Sequence, residues 1–223
     1  MEDEFKLKIY WTARPENLTE SAEKISIFAN KIRSVIKGNW YKKGFSRSEL
    51  KSADYDLSPG GMENLLRATT RKNDFVGEFS KIGFSINLYV EDDTRTYSVD
   101  FSVGADTAQF PNLFMLGFYN PNHFTKDQII QLFKDAVLHF QPDWGCVDSD
   151  RLKTLLNLKG NRFGWITFVK EIDNISKLNE AISVEKVDAQ GYILYLKNSK
   201  NFYNYELMPL LDELDIQLFK INK

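Results

Sequence analysis

Residues 83–90 read Gly-Phe-Ser-Ile-Asn-Leu-Tyr-Val, and residues 95–103 read Arg-Thr-Tyr-Ser-Val-Asp-Phe-Ser-Val. Apolar and polar side chains alternate in both stretches, which is typical of a strand that buries one face of a sheet. The acidic segment 91–94 lies between them and predicts a turn, so the two strands are expected to form a β-hairpin. This hairpin predicts an antiparallel sheet in the middle of the chain.

Further strands are predicted on both sides of the hairpin. Residues 5–11 alternate and predict an edge or half-buried strand, whereas the continuous apolar run 113–118 predicts a central strand. Residues 164–169 predict another strand, and residues 182–187 and 192–196 predict a second hairpin.

Three helices have recognisable start signals. Asn17 with Glu20, and Thr125 with Gln128, stand in capping-box positions ahead of apolar residues at helical spacing. Pro59 follows Ser58 and suits the first position of a short helix. The glycines that follow it are better explained by this helix start than by a phosphate-binding loop.

The ends of the helices and the remaining segments complete the predicted order of elements. We expect the first helix to stop at Gly38 and the third to end before Pro142. Residues 148–158 predict a short helix, and residues 203–214 an amphipathic one. Because strands cluster and helices are interposed singly, the fold class is α+β. We expect a mainly antiparallel sheet of about six to seven strands with helices packed on it, in a single domain over residues 1–223.

The charge distribution bears on the kind of partner. Residues 82–125 hold one Arg and five acidic residues, net −4, and residues 171–223 hold six basic and nine acidic residues, net −3. No basic stripe follows the sequence in the way that phosphate binding requires, so direct contact with nucleic acid is not expected. A basic protein is the better partner, although acids that merely keep the surface soluble are an equal alternative.

Cysteine usage and the apolar pattern bear on the compartment. Cys146 is the only cysteine, so neither an intrachain disulfide nor a cysteine zinc site can form. The chain starts with charged residues and has no apolar stretch near the ~20 residues that span a bilayer. We expect a soluble cytoplasmic protein without a membrane contact.

No motif for catalysis stands out. His123 and His139 are the only histidines and lack metal-binding spacing. Cys146 is better explained as a small buried hydrophobe than as a nucleophile. The acids of 91–93 and 148–150 could hold a hard cation, but a solvated turn is the simpler interpretation. We therefore expect no enzyme activity, no cofactor and no metal. An enzyme with a dispersed carboxylate or cysteine site, or a general interaction domain, remains the alternative.

Four stretches that each contain a tryptophan occur in a recognisable order. They are residues 9–15 (Ile-Tyr-Trp-Thr-Ala-Arg-Pro), 40–44 (Trp-Tyr-Lys-Lys-Gly), 140–145 (Phe-Gln-Pro-Asp-Trp-Gly) and 164–168 (Gly-Trp-Ile-Thr-Phe). With this order and spacing the chain resembles the immunity protein 52 family, bacterial antitoxins that protect a cell against polymorphic nuclease toxins. Eight motif residues are expected to set turns and core: Trp11, Trp40, Pro142, Asp143, Trp144, Gly145, Gly164 and Trp165.

The resemblance implies an α+β protein encoded beside a toxin that it inhibits. The toxins paired with this family are predicted nucleases of the restriction-endonuclease fold, and the implied mechanism is stoichiometric occlusion. An acidic surface can fill a positive nuclease groove, although binding beside the groove or disrupting a toxin dimer would also inhibit. The oligomeric state is not indicated. Exposed acids and an aromatic residue are the expected toxin contacts: Glu91, Asp92, Asp93, Tyr119, Asp148 and Asp150.

Overall fold

The computed structural model describes residues 4–42, 55–91, 96–107, 109–118, 124–149, 164–172, 182–188 and 190–196. These residues form three α-helices, eleven strands and one 3-10 turn at Lys72–Asp74. The helices are α1 (Leu18–Val35), α2 (Pro59–Thr69) and α3 (Lys126–Phe140). The strands are β1 (Phe5–Trp11), β2 (Asn39–Lys42), β3 (Phe75–Val76), β4 (Phe79–Ser80), β5 (Phe84–Glu91), β6 (Thr96–Val103), β7 (Asn112–Phe118), β8 (Trp144–Ser149), β9 (Ile166–Val169), β10 (Ile182–Val187) and β11 (Gly191–Leu196).

Nine of the strands form one sheet in the order β10-β11-β9-β8-β1-β7-β6-β5-β2, and β3 pairs with β4 separately. Antiparallel pairing joins β2 to β5, β5 to β6, β6 to β7, β8 to β9, β9 to β11 and β11 to β10. The α+β class with a large antiparallel sheet is therefore confirmed. The expected six to seven strands were too few, because β2 and β8 lack the alternation that predicts a strand.

Two strand assignments need correction. β1 is the fifth of nine strands, so it is not an edge strand, and five of its seven side chains are buried. Asp148 and Ser149, expected to begin a helix, are the last residues of β8. Five of the six residues of β8 are buried, so both faces of the strand are covered, and its sequence does not alternate between apolar and polar residues. The rest of 148–158, and the helix expected over 203–214, lie outside the described residues.

The chain divides into two compact units, one of Met1–Ile9 with Phe118–Lys223 and the other of Tyr10–Gly117. The divisions fall within β1 and near the end of β7. We refer to the first as the outer-segment unit and to the second as the middle unit. The single domain over 1–223 stays a prediction.

In the middle unit, α1 packs on one face of the sheet. The ring of Phe28 meets that of Phe114 edge-on with centroids 4.8 Å apart, and Phe114 lies 5.2 Å from the ring of Phe101. The capping box of Asn17 and Glu20 is present as predicted. The predicted hairpin is also present, with β5 paired to β6 from Phe84 opposite Val103 to Glu91 opposite Thr96.

Gly38 does not have the role that the sequence indicates. Helix α1 ends at Val35, with Ile36 as an extended cap residue. A Cβ atom on Gly38 would lie 2.6 Å from the carbonyl oxygen of Glu91, so the glycine instead allows the chain to pass close to β5. Gly38 is required by tertiary packing rather than by the helix end.

In the outer-segment unit, α3 begins with the predicted capping box of Thr125 and Gln128. It ends at Phe140, and Gln141 adopts a left-handed conformation before Pro142, as expected for a helix that a proline follows. The second hairpin is confirmed, with Val187 opposite Gly191 at its turn. The strand predicted from residue 164 starts two residues later, at Ile166.

Candidate interaction surface

One face of the β5–β6 hairpin is turned away from α1. Its side chains alternate with the buried core residues and are half-buried or exposed. We call this surface the outer face; its residues are Ser85, Asn87, Tyr89, Glu91, Thr96, Ser98, Asp100 and Ser102. The sixteen residues of β5 and β6 include two acids and no Lys or Arg, so the strands that build the outer face carry only negative side-chain charge.

Cross-strand hydrogen bonds fix the polar side chains of the outer face. The Ser85 hydroxyl donates to the hydroxyl of Ser102 over 3.0 Å. The Asn87 amide donates to the carboxylate of Asp100, which stands directly opposite it in the register. Side chains held in this way lose little conformational entropy when a partner binds.

An aromatic and acidic corner lies where β2 pairs with β5 at one end of the sheet order. Tyr41 of β2 stands opposite Tyr89, and their ring centroids are 5.6 Å apart. Burial raises the pKa of Tyr41 above its ordinary value; a hydrogen bond with Thr96 opposes this, and the charge and hydrogen bond of Glu91 add to it. The Tyr41 hydroxyl therefore stays protonated at neutral pH and can donate to the Glu91 carboxylate.

Only one of the expected toxin-contact residues lies on this surface within the described part. Glu91 is the last residue of β5 and is half-buried. Asp92 and Asp93 follow it in the sequence but lie outside the described residues, as do Tyr119 and Asp150. The sequence reasoning missed Tyr41, because β2 has four residues and shows no period. Asp100 was not expected as a contact residue and contributed only to the net charge of residues 82–125.

Asp148 is not an exposed acid. The residue is 2% exposed, and its Oδ2 atom lies 2.5 Å from Nζ of Lys8, which is equally buried. The expectation of an accessible contact at Asp148 is therefore wrong: the carboxylate forms an ion pair in the interior of the outer-segment unit. Burying two charges is costly, and their attraction offsets the cost only while both are present.

The described motif residues lie mostly in the interior. Trp11, Trp40 and Trp165 are at most 2% exposed. Pro142 and the two motif glycines are buried, and Asp143 and Trp144 are half-buried. The Asp143 carboxylate accepts a hydrogen bond from Lys170 one residue after β9. A role in turns and core stays a prediction for the eight motif residues: Trp11, Trp40, Pro142, Asp143, Trp144, Gly145, Gly164 and Trp165.

A polar network joins α3 to the second hairpin in the outer-segment unit. Nζ of Lys134 lies 2.8 Å from Oε1 of Glu185, and the Tyr195 hydroxyl donates to Oε2 of Glu185 over 2.7 Å. The hydrogen bond from Lys134 holds the pKa of Glu185 below its ordinary value of 4.5. Burial and the bond to Glu185 raise the pKa of Tyr195.

This network predicts a small, pH-dependent contribution to stability. Because the pKa of Glu185 is lowered in the folded protein, its stabilisation is complete above pH 4.5 and is lost as the pH falls through the folded value. The Glu185 side chain is 45% exposed, so solvent screens the pair. We expect Glu185→Gln to cost about 0.5 kcal/mol at pH 7. Urea unfolding at pH 7 and pH 3 measures this, and an equal cost at both pH values would contradict it.

Chemical groups for catalysis do not converge in the described residues. No three His, Cys, Asp or Glu side chains among them are grouped as a metal site. The Cys146 thiol is fully buried in β8, opposite Thr167 of β9. His139 lies near the end of α3 and packs edge-on against Phe140, whereas His123 is outside the described residues.

None of the helices in the described ranges is long and apolar enough to cross a membrane.

No protein-family model matches this chain, and no curated protein matches it significantly. The resemblance to the immunity protein 52 family therefore stays a prediction from the four tryptophan-containing stretches.

Proposed function

We propose that this chain is an immunity protein that binds a cognate polymorphic toxin and neutralises it by stoichiometric occlusion. The toxin class that fits is a nuclease of the restriction-endonuclease fold. The observation that carries the proposal is the outer face of β5 and β6, where two acids stand among hydroxyl and aromatic side chains without a Lys or Arg. The order of the four motif stretches supports the same class of protein.

The outer face has the chemistry that a phosphate-binding groove would accept. Such a groove is lined with Lys and Arg, because it must neutralise the nucleic-acid backbone. Glu91 and Asp100 offer the opposite charge on a rigid sheet, and long-range attraction raises the rate of encounter. Tyr89 adds a half-buried ring beside Glu91, and tyrosine is enriched in protein interfaces. A protein bound in this way blocks the substrate and performs no chemistry.

The enzyme alternative finds no support at Cys146 and Asp148, two of the residues that the sequence offered for it; Asp150 lies outside the described residues. Both Cys146 and Asp148 are buried, and the Asp148 carboxylate is engaged with Lys8. A nucleophile has to reach its substrate and a metal ligand has to reach its ion, and these two side chains are almost completely buried.

The direct test is co-expression with the nuclease encoded beside the gene. Cells that produce the nuclease with this chain are expected to grow, and cells that produce the nuclease alone are expected to arrest. The purified proteins should form a 1:1 complex in which nuclease activity is lost. Growth arrest despite soluble expression of this chain would overturn the proposal for that toxin.

Removing the charge of the outer face is expected to slow association. The double variant Glu91→Gln/Asp100→Asn keeps side-chain size and hydrogen-bonding capacity but removes two negative charges. We expect its association rate constant with the toxin to fall about 5- to 10-fold at low salt, and the difference to shrink as salt is added. Surface plasmon resonance at two ionic strengths measures both effects.

The matched control for this variant lies on the exposed side of α1. Glu23 is exposed, whereas the buried side chains of α1 face the sheet. Glu23→Gln removes one negative charge from the same unit but leaves the outer face unchanged, so the association rate should stay close to that of the wild type. The fold-change in association rate constant can be compared per charge removed. If Glu23→Gln slowed association as much per charge as the double variant, the net charge of the protein, and not the outer face, would steer binding.

A further inference from the structure

The middle unit contains a cavity that lies outside the motifs and shares only Ser85 with the outer face. Its volume is about 360 Å³, which is within the range of pockets that bind small ligands or peptide side chains. It lies where the end of α2 and the following turn meet the beginning of β5. The lining residues are Thr69, Thr70, Arg71, Asp74, Ile82, Gly83 and Ser85.

The segment around the cavity carries exposed basic side chains: Arg71 lines it, and Lys72 and Lys81 stand next to lining residues in the sequence. Arg71, Lys72 and Lys81 are exposed, and none of them forms an ion pair with another described residue. Between residues 71 and 82 there are three bases and two acids, Asp74 and Glu78, so the net charge is +1. The net charge of this segment is thus opposite in sign to that of the outer face.

Polar groups inside the cavity are partly engaged. The Thr69 hydroxyl lies 3.1 Å from the carbonyl oxygen of Leu66 and 3.3 Å from that of Ser85, so it can donate to one of the two, and the Ser85 hydroxyl donates to Ser102. The guanidinium of Arg71 and the carboxylate of Asp74 have no such partner among the described residues. The cavity therefore offers one strong donor group and one acceptor group to an occupant.

An exposed apolar ridge lies in the hairpin that leads to the cavity. Six large hydrophobic side chains are exposed in the described part of the chain, and three of them fall within residues 76–82. Val76 is 55% exposed and stands opposite Phe79, which is 45% exposed; Ile82, at 38%, also lines the cavity. Gly77, with φ +64°, makes the tight turn between the two strands. Apolar side chains concentrated in this way are typical of contact sites.

We infer that the cavity and this ridge bind a peptide segment of a partner protein in which an Asp or Glu stands beside a large apolar residue. Arg71 can take the carboxylate in a two-bond pairing, which its planar group favours over a single contact. The Asp74 carboxylate accepts a backbone N–H of the segment, and the apolar side chain covers Phe79. This site shares only Ser85 with the outer face and includes neither Glu91 nor Asp100, so the inference does not rest on the proposed function.

A titration with defined peptides tests the site on the full chain. The probe is N-acetyl-Asp-Phe-amide, followed by ¹⁵N–¹H NMR, and the comparison probes are N-acetyl-Asn-Phe-amide and N-acetyl-Asp-Ala-amide. We expect saturable shifts at residues 69–74 and 76–85 with Kd of about 1 mM, and at least about fivefold weaker binding of either comparison probe. Shifts that do not saturate, or that all three probes cause equally, would overturn the inference.

Two variants and one further ligand make the test specific. Arg71→Gln is expected to abolish the shifts, whereas Arg67→Gln should leave them unchanged, because Arg67 is exposed but already paired with Glu63 at 3.0 Å. Since both arginines are exposed, unchanged melting temperatures are expected for both variants. If inorganic phosphate produces the same shifts at a lower concentration than the probe, the cavity is a simple anion site and the peptide proposal is wrong.

Discussion

Replacing Lys8 with methionine is expected to lower the free energy of unfolding by about 3–5 kcal/mol, the usual cost of breaking a buried ion pair from one side. Lys8 and Asp148 are each 2% exposed, and the two atoms that join them are 2.5 Å apart. Without the ammonium group, the carboxylate stays in the interior without the charge of Lys8. Urea unfolding at pH 7, followed by circular dichroism, measures the loss.

Two further variants separate the ion pair from simple packing. The double variant Lys8→Met/Asp148→Leu removes both charges and fills similar volume, so we expect it to recover most of the loss and to come within about 1–2 kcal/mol of the wild type or above it. Lys6→Met changes the neighbouring half-exposed lysine, whose pairing with Glu4 at 3.1 Å is near the surface, and should cost under about 1 kcal/mol. If Lys8→Met and Lys6→Met were equally mild, the buried pair would not have the energetic weight assigned to it.

Gly164→Ala is the second change with a large expected effect, a loss of about 3 kcal/mol. A Cβ atom at this position would lie 2.2 Å from the carbonyl oxygen of Val147. The same oxygen accepts the N–H of Trp165 over 2.9 Å, and the Gly164 N–H donates to the hydroxyl of Thr167 over 3.1 Å. The backbone cannot move away from β8 without breaking the hydrogen bond from Trp165 to Val147, so the added methyl group has to displace the entry to β9.

Gly60→Ala is the matched control, since the chemical change is identical. Gly60 lies in the first turn of α2, and an added Cβ would meet no atom within 4 Å. Alanine favours a helix over glycine by about 0.8–1.0 kcal/mol in an interior position, so a small gain in stability is expected there. Thermal unfolding of the two variants should therefore shift in opposite directions. A Gly164→Ala protein as stable as the wild type would show that the close approach to Val147 does not constrain this segment.

The sequence predicts those elements whose signals are local. The caps at Asn17, Ser58 and Thr125 are contained within four residues each, and the structure has all three. The two hairpins follow from side-chain alternation and short turns, and both are present. Such features depend on neighbours in the chain and need no knowledge of distant contacts.

Features that depend on distant contacts were missed or misassigned. Lys8 suggests a solvated face on β1, but its partner Asp148 is 140 residues away, and only together can the two charges be buried. Gly38 resembles a helix stop, whereas the close approach of β5 explains it. At the outer face, Glu91 was expected from the acidic turn. Tyr41, which lies beside the outer face on β2, was not expected, because its position there depends on the pairing of β2 with β5 opposite Tyr89.

The central place of β1 also bears on the biosynthesis of the protein. This strand precedes every other strand of the sheet in the chain, yet it lies between β7 and β8, and β8 ends at Ser149. At a synthesis rate of roughly 5–20 residues per second, β8 is completed on the order of ten seconds after β1 has been synthesised. During that interval one edge of β1 has no partner strand from β8, so a ribosome-associated chaperone that shields β1 would raise the yield of folded protein.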